Sequence, residues 1–230
     1  MKKQKISDYK VVIFDLDGTL YYQKPFRLHM LFFLLKYVLC HPASIKDILI
    51  IKKYREIREN WSQYEEGSTE DFNTDLDTRQ YMFVAKQMKP MKVSAERVKK
   101  AVSFFMLEAP LTLLPKYRDD ELANMINRLK AEKITTAVYS DYPVEEKLAA
   151  LGICVDACFT SADKEIGCMK PDPRGLQYIL SSLHCKPEEA IMIGDRYEKD
   201  GLAAIGSKMD YVILSASAKK RHEEQKELFS

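Results

Sequence analysis

Five short apolar runs, partly β-branched, recur along the chain and restrict its fold more than any other feature. Each has the pattern of a buried strand, and a helix-like segment precedes each of the last four. Strands that alternate with helices predict a parallel sheet covered on both faces. The runs span residues 9–14, 133–140, 155–161, 190–195 and 210–216, and the helix-like segments span residues 118–132, 143–152, 172–184 and 199–206.

The connection after the first run is an exception, because about a hundred residues separate it from the next helix-like segment of the series. Nothing in this interval has the pattern of a strand. Apolar residues recur there at helical spacing, which predicts an inserted bundle of about four helices. The segments span residues 26–40, 44–58, 74–88 and 94–107. We therefore predict an α/β fold, with a doubly wound, Rossmann-like parallel sheet core and an inserted all-helical domain.

Local signals mark the ends of several of these segments. Ser44 and Ser94 stand where a serine N-cap would precede a helix, and Gly152 closes the segment that begins at residue 143. Residues 65–75, "EEGSTEDFNTD", are predicted to form a loop within the insert.

Two carboxylates end the first apolar run, in the motif "DLDGT" at residues 15–19. Asp15 and Asp17 lie two residues apart, so on a strand they would share one side and repel each other unless a cation joined them. A polar turn of Asp and Gly explains the same letters. This segment alone does not decide between the two explanations.

Polar residues follow the later predicted strands as well. In a doubly wound sheet these positions meet at one edge, where ligands bind. The motifs are "DLDGT" (15–19), "YSD" (139–141), "CMKPDP" (168–173) and "GDRYEKD" (194–200). Taken singly, the last three are explained by a helix N-cap at Asp141, a proline turn and a solvated loop. Their order along one predicted edge favours a shared site.

In order and predicted position, "DLDGT", "YS", "KP" and "GDRYEKD" resemble the four motifs of the haloacid dehalogenase-like (HAD) superfamily of hydrolases. The resemblance covers roughly residues 8–20 and 115–216. The helical insert is similar to the cap that this family carries between motifs one and two. The resemblance therefore implies a hydrolase core at residues 1–20 and 110–230 and a helical cap domain at residues 21–109.

The resemblance also implies catalytic roles. Asp15 would attack phosphorus to give an aspartyl-phosphate, which splits one difficult displacement into two easier ones. Asp17 would protonate the leaving oxygen and then activate water. Thr19 and Ser140 would hold the phosphoryl oxygens, while Lys170 would offset the negative charge of nucleophile and substrate.

Mg²⁺ is the expected cofactor, because it prefers octahedral oxygen coordination and retains water molecules. The expected metal ligands are Asp15, Asp195 and Asp17, the last through its backbone carbonyl. Asp200 is expected to act on the ion through water or from a second shell of contacts.

The expected activity is hydrolysis of a small phosphorylated metabolite. Dehalogenase members of the family lack the second aspartate, so Asp17 favours phosphate transfer over dehalogenation. A phosphonatase, which would use a cap lysine as a Schiff base, is less favoured. A sugar phosphomutase shares the same core and stays open, although hydrolysis is the simpler outcome. Neither the substrate nor the oligomeric state follows from the sequence.

The cap is expected to exclude water and supply specificity. Tyr21 and Tyr22 follow the nucleophile motif directly. They would either line the entrance to the site or pack as aromatic residues at the hinge.

Composition limits the partners and the compartment. The formal net charge is only +2 and the charges are interleaved, which argues against a nucleic acid partner. The basic ends of the chain are predicted to be solvated. The five cysteines form no Cys-x-x-Cys pair and no signal sequence precedes the first strand, so we expect reduced, mostly buried thiols in a cytoplasmic protein.

The segment "FRLHMLFFLLKYVLC", residues 26–40, is the most apolar of the chain. It is too short and too charged to span a bilayer, and its composition predicts burial against neighbouring helices rather than contact with a membrane. The alternative from another class of function is a binding protein that uses residues 26–51 to hold a protein partner or a membrane surface.

Overall fold

The computed structural model describes residues 5–64 and 74–229. The chain divides into two compact units, one formed by Met1–Phe26 and Leu114–Ser230 and the other by Arg27–Leu113. The boundaries expected from the sequence, after residue 20 and before residue 110, fall a few residues before these. Residues 65–73 of the loop expected at 65–75 lie outside the described part of the chain.

The larger unit is built on a five-stranded parallel sheet in the order β3-β2-β1-β4-β5. Each strand lies inside the apolar run that predicted it, so the predicted parallel α/β core is confirmed. The strands are β1 (Val11–Phe14), β2 (Thr135–Ser140), β3 (Ala157–Thr160), β4 (Ala190–Gly194) and β5 (Asp210–Ile213). Strand β1 is central and fully buried, and it pairs with β2 on one side and β4 on the other.

The strand order reverses direction beside β1, because the chain first adds β2 and β3 on one side and then β4 and β5 on the other. In open α/β sheets, such a switch point opens a crevice at the carboxyl ends of the strands. The segments that follow β1 and β4 therefore border the place where a ligand is expected.

The smaller unit is helical and contains no strand among its described residues. Its helices are α1 (Gln23–Cys40), which begins in the larger unit, α2 (Ile45–Glu59), α3 (Trp61–Tyr64), α4 (Leu76–Gln87) and α5 (Ala95–Val102), which continues into a π-helical turn at Ser103–Glu108. The four predicted segments correspond to α1, α2, α4 and α5.

One of the two predicted serine caps is confirmed. Ser94 accepts a hydrogen bond from the backbone N–H of Arg97 at 3.2 Å. The prediction for Ser44 is wrong, because this residue already has helical backbone angles and its hydroxyl donates to the carbonyl of His41. A cap needs an extended backbone so that its side chain can reach the first free N–H groups.

The helices of the larger unit are α6 (Asp120–Ala131), α7 (Glu145–Leu151), α8 (Arg174–Ser182), α9 (Leu202–Gly206) and α10 (Ala218–Phe229). A π-helical turn at Tyr197–Gly201 leads into α9. Gly152 follows α7 with a φ of +64°, which confirms the predicted glycine cap.

Two expectations about exposure are wrong. The basic C-terminal segment is not merely a solvated end, because α10 buries Arg221 and Gln225, which lie four residues apart on one face of the helix. Among the free cysteines only Cys168 is buried, whereas most were expected to be. None of the described helices combines the length and the apolarity needed to cross a membrane.

Candidate active site

The acidic motifs that follow β1 and β4 meet beside the switch point. The backbone N–H of Asp15 donates to the carbonyl of Ile193 at 2.8 Å, so the end of β1 is held against the end of β4. Carboxylate oxygens of Asp15, Asp195 and Asp200 lie within 4.8 Å of one another. The structure thus brings together three acids that are separated by up to 185 positions in the sequence.

Lys170 lies between two of these acids. Its ammonium donates to Asp15 and to Asp200, at 2.6 Å in each case, and the side chain is fully enclosed. Burial alone would lower the pKa of Lys170, but the two carboxylates outweigh burial and raise it well above its usual range. Lys170 is therefore a permanent cation in this cluster.

One lysine does not balance three carboxylates. Burial, reinforced by Asp200 and Asp195, raises the pKa of Asp15 well above its usual range although Lys170 opposes the shift. Burial and the charge of Asp200 likewise raise the pKa of Asp195 to about 6. Oxygen Oδ1 of Asp195 is buried and has no hydrogen-bond partner within the described residues. The cluster is thus short of positive charge.

A divalent cation with oxygen ligands fits this cluster. Mg²⁺ takes carboxylate ligands, retains water and lowers the energy of clustered anions. Asp15 and Asp195 are available as ligands, and an oxygen of Asp200 lies within 4.8 Å of both. Asp200 was expected to act indirectly, and the geometry leaves both a direct and a water-mediated contact open to it.

Two glycines make the close packing of these acids possible. A Cβ atom on Gly18 would lie 2.1 Å from an Asp195 oxygen, and the φ of +107° at this position also disfavours any other residue. A Cβ atom on Gly194 would lie 2.3 Å from an Asp200 oxygen. Glycine is thus required at positions 18 and 194, because a side chain there would overlap the carboxylate of Asp195 or of Asp200.

The side chain of Asp17 lies outside the acidic cluster. It accepts hydrogen bonds from Lys147 at 2.6 and 2.8 Å and from the Tyr21 hydroxyl at 2.6 Å. Burial opposes ionisation, yet Lys147 and Tyr21 together hold the pKa of Asp17 below its ordinary value. The two acids of "DLDGT" therefore have different environments, and a metal contact through the Asp17 carbonyl stays a prediction.

Lys147 is a site residue that sequence reasoning missed. It lies in α7, and the N-cap residue Val144 forms a buried apolar stripe with Leu148 and Leu151. Lys147 follows Val144 by three residues, so it lies on the same face of the helix, where an apolar residue would be expected. A lysine within an apolar stripe, one turn after a strand that carries site residues, was the signal that could have revealed it.

The two hydroxyl groups assigned to phosphate binding both lie beside the acids. The Thr19 hydroxyl donates to Oδ2 of Asp15 at 3.0 Å. The Ser140 hydroxyl lies 3.5 Å from Asp17 and accepts from the N–H of Tyr142. Both side chains are buried. Their role in holding phosphoryl oxygens stays a prediction.

Asp141 ties two of the motifs together. Its Oδ1 accepts from the Ser161 hydroxyl at 2.6 Å and from the backbone N–H of Lys170 at 3.0 Å. The alternative explanation of Asp141 as a helix N-cap is wrong, since α7 begins only at Glu145. Asp141 instead fixes the "KP" segment against the end of β2.

Arg221 connects α10 to the nucleophile motif and was not anticipated. Its guanidinium donates to the carbonyls of Gly18 at 3.0 Å and Thr19 at 2.6 Å. It also forms an ion pair with Asp119 at 3.1 Å, and both side chains are fully buried. Gln225 donates to the same oxygen of this pair, Asp119 Oδ2, at 2.9 Å. A helix from the C-terminal end of the chain thus supports the loop that carries Asp15 and Asp17.

Comparison with known proteins agrees with this arrangement. The family model for haloacid dehalogenase-like hydrolases matches residues 9–207. The chain belongs to this family. The match to the HAD family runs from β1 to the end of α9, so β5 and α10, with Arg221, lie beyond the matched residues.

A curated relative and several solved structures share features with this HAD-family chain. The glyceraldehyde 3-phosphate phosphatase of Methanothermobacter thermautotrophicus is 34% identical over 73 residues, and the matched segment spans only 31% of either chain.

Among solved structures, a 2-haloacid dehalogenase from Pseudomonas syringae pv. Tomato superposes with a TM-score of 0.61 at 19% identity, covering 90% of this chain and 86% of that one. The HAD-hydrolase YfnB from Bacillus subtilis, in a magnesium-bound form, superposes with a TM-score of 0.61 at 16% identity, covering 96% and 98%. At these identities the structures show a common fold and no more.

Proposed function

We propose that this protein is a Mg²⁺-dependent phosphatase that hydrolyses a small phosphorylated metabolite through an aspartyl-phosphate on Asp15. The observation that carries the proposal is the placement of Asp17, a second carboxylate that Lys147 and Tyr21 hold two residues after the candidate nucleophile. A leaving alcohol needs a proton, whereas a leaving halide does not. The short match to a phosphatase also favours hydrolysis of a phosphate ester over dehalogenation.

The contacts of Asp15 suit a nucleophile. Lys170 donates to Oδ1 and Thr19 donates to Oδ2, so both oxygens of the carboxylate are oriented. Lys170 also reduces the repulsion between this carboxylate and an approaching phosphate. In the first step an Asp15 oxygen forms a bond to phosphorus, and the bond from phosphorus to the leaving oxygen breaks.

Asp17 would transfer the protons in both steps. It gives a proton to the leaving oxygen as the aspartyl-phosphate forms, and it takes a proton from the water that attacks phosphorus in the second step. Lys147 and Tyr21 favour the ionised form of Asp17, which is the form required for the second step. For the first step Asp17 would take up a proton from the incoming phosphate monoester and pass it to the leaving oxygen. The released products are an alcohol and inorganic phosphate.

Asp15 and Asp195 would hold Mg²⁺, assisted by Asp200 and the Asp17 carbonyl. When bound, the ion would neutralise clustered negative charge and polarise a phosphoryl oxygen. We further propose that the helical insert acts as the cap that excludes water and selects the substrate. Among the two candidate hinge tyrosines, Tyr21 is buried and packs edge-on against Phe26 at 5.3 Å while its hydroxyl binds Asp17.

The direct test is phosphate release from sugar phosphates, nucleotides, phosphoglycolate and an aryl phosphate, with Mg²⁺ and with a chelator. Chloride release from 2-chloropropionate is measured in parallel. Metal-dependent phosphate release without chloride release is expected. Chloride release alone would identify a dehalogenase and overturn the proposal, and phosphoryl transfer to a second sugar hydroxyl would identify a mutase.

Replacing Lys147 by Met is expected to lower kcat by at least about tenfold, because Asp17 loses the cation that orients it. KM should change much less, since Lys147 contacts Asp17 and is not assigned to phosphate binding. Steady-state kinetics measure both parameters. Lys147→Arg should recover part of kcat, and Lys164→Met, at an exposed position, is the matched control. A kcat equal to that of the control would contradict the assigned role.

Mg²⁺ affinity is expected to fall as the pH drops through about 6. Asp195, whose pKa is raised to about 6, then holds a proton that the metal must displace. Calorimetric titration should give an affinity about tenfold weaker at about pH 5 than at about pH 7.5. Asp195→Asn should bind Mg²⁺ weakly at both pH values. Equal affinity of the unmodified protein at both would contradict the metal site.

Asp195 also contributes to the pH dependence of the free energy of unfolding when no metal is bound. The pKa of Asp195 is higher in the folded state than in the unfolded state, so the folded state binds protons more tightly. This group therefore makes the metal-free protein lose stability as the pH rises from about 4 to about 6, and added Mg²⁺ should reverse the loss.

A further inference from the structure

Helix α1 carries two apolar faces, and within residues 5–64 and 74–229 only one of them is packed against other side chains. On the packed face, Met30 is buried and the ring of Tyr37 lies 5.3 Å from Phe104 and 5.2 Å from Phe105. These contacts anchor α1 in the helical unit. The sequence predicted that segment 26–40 would be buried against neighbouring helices, and for the opposite face that prediction is wrong.

The opposite face is a continuous stripe of large exposed side chains. Its members recur at spacings of three and four residues, which places them on one side of the helix. They are Leu28, Leu31, Phe32, Leu35 and Leu39, between 51% and 81% exposed. We call them the α1 stripe. Single exposed leucines are ordinary, but a contiguous apolar patch of this kind marks an interaction surface.

The charged residues that α1 itself supplies beside the stripe are all positive. Helix α1 contains no Asp or Glu among its 18 residues. At 100° per residue, Arg27 and Lys36 lie on opposite flanks of the stripe and Lys24 lies at its N-terminal end. All three are exposed. The surface is therefore apolar along its centre and cationic along its border.

We propose that the α1 stripe docks on the surface of a bilayer that contains anionic lipids. Leucine and phenylalanine side chains would enter the boundary between headgroups and acyl chains, while Arg27 and Lys36 would reach the lipid phosphates. The helix would lie in the plane of the interface. This inference concerns no residue of the candidate active site and goes beyond the proposed function.

A lipid surface suits the stripe better than a second copy of the chain. In a two-fold dimer the same patch would face itself. The cations that border one stripe would then approach those of the other, and α1 supplies no carboxylate to compensate them. Anionic headgroups supply the missing negative charge, each nearby Lys or Arg strengthening binding about fivefold.

The test is flotation of the full chain with vesicles of phosphatidylcholine, with and without phosphatidylglycerol. The unmodified protein should float with the anionic vesicles, and added salt should weaken binding. A triple variant, Leu31→Ser, Phe32→Ser and Leu35→Ser, should bind at least about 100-fold more weakly. Arg27→Gln with Lys36→Gln should weaken binding to anionic vesicles by at least about tenfold.

The matched control is Met82→Ser with Ile205→Ser, which removes exposed apolar side chains outside the stripe and should float like the unmodified protein. All variants should keep their circular dichroism spectrum and thermal midpoint, since the changed residues are exposed. Failure to float, equal binding to neutral and anionic vesicles, or equal loss in the control would overturn the proposal. A dimer in sedimentation velocity that the triple variant dissociates, without vesicle binding, would show that a second copy occupies the stripe.

Discussion

Replacing Asp15 by Asn is expected to lower Mg²⁺-dependent phosphate release by at least about 1,000-fold while leaving the fold intact. The amide cannot form the acyl-phosphate, so the two-step route is lost. Stability should be kept or increased, because the pKa of Asp15 is already raised by burial and by Asp200 and Asp195. Lys170 keeps Asp200 as a partner at 2.6 Å. Initial rates and thermal unfolding measure the two effects.

The control for this substitution is Asp210→Asn. Asp210 begins β5, at the end of the sheet away from the acidic cluster, and its carboxylate accepts a hydrogen bond from Tyr9 that an amide oxygen can also accept. This variant should keep full activity. Rapid quenching after mixing with labelled substrate adds a second readout, since label should attach to the unmodified protein and not to Asp15→Asn. Retained turnover or retained label in that variant would exclude Asp15 as the nucleophile.

Replacing Arg221 by Met is expected to lower the free energy of unfolding by about 3–5 kcal/mol. The substitution removes the cation that pairs with the fully buried carboxylate of Asp119. Hydrogen bonds from Gln225 and from the backbone N–H of Leu122 remain. The substitution also removes the donor to the carbonyls of Gly18 and Thr19. Urea unfolding should therefore show a lower midpoint, and phosphate release should fall because the loop that carries Asp15 and Asp17 loses its support.

Two further variants separate the ion pair from the helix itself. Lys219→Met, at an exposed position of α10, should change stability by less than about 0.5 kcal/mol. Asp119→Asn combined with Arg221→Met should be more stable than Arg221→Met alone, because no unpaired charge stays buried. A loss for Arg221→Met no greater than that for Lys219→Met would contradict a structural role of α10.

The parallel sheet could be predicted because each of its strands coincides with a short apolar run in the sequence. A strand buried on both faces needs a nearly continuous apolar run, and β1, β2 and β4 each meet that requirement with side chains of low exposure. Crossover connections between parallel strands are almost always right-handed. The alternation of apolar runs with helix-like segments is therefore compatible with few sheet topologies. Asp15 and Asp195 could be placed near each other because they directly follow β1 and β4. Lys170 could be added because it lies in the segment that follows β3.

Contacts that depend on the packing of whole elements could not be predicted. Arg221 reads as one basic residue in a charged segment, and only the docking of α10 shows that it is buried beside Asp119. Lys147 interrupts an apolar stripe in the sequence, but only the tertiary structure shows that α7 directs it toward Asp17. In both cases the sequence separation exceeds one hundred positions, where local propensity carries no information about distance.

The sequence by itself determined the α/β class, the helical insert and the four motifs, because apolar periodicity and strand-end chemistry are local properties of the chain. Only the tertiary structure decided which side chains are buried in a helix whose two faces are both apolar. In α1 both faces are apolar, and the described residues pack against the face of Met30 and Tyr37 while the α1 stripe stays exposed. Around Asp17 the structure decided the charge balance, since a buried carboxylate takes its pKa from the groups that folding places beside it.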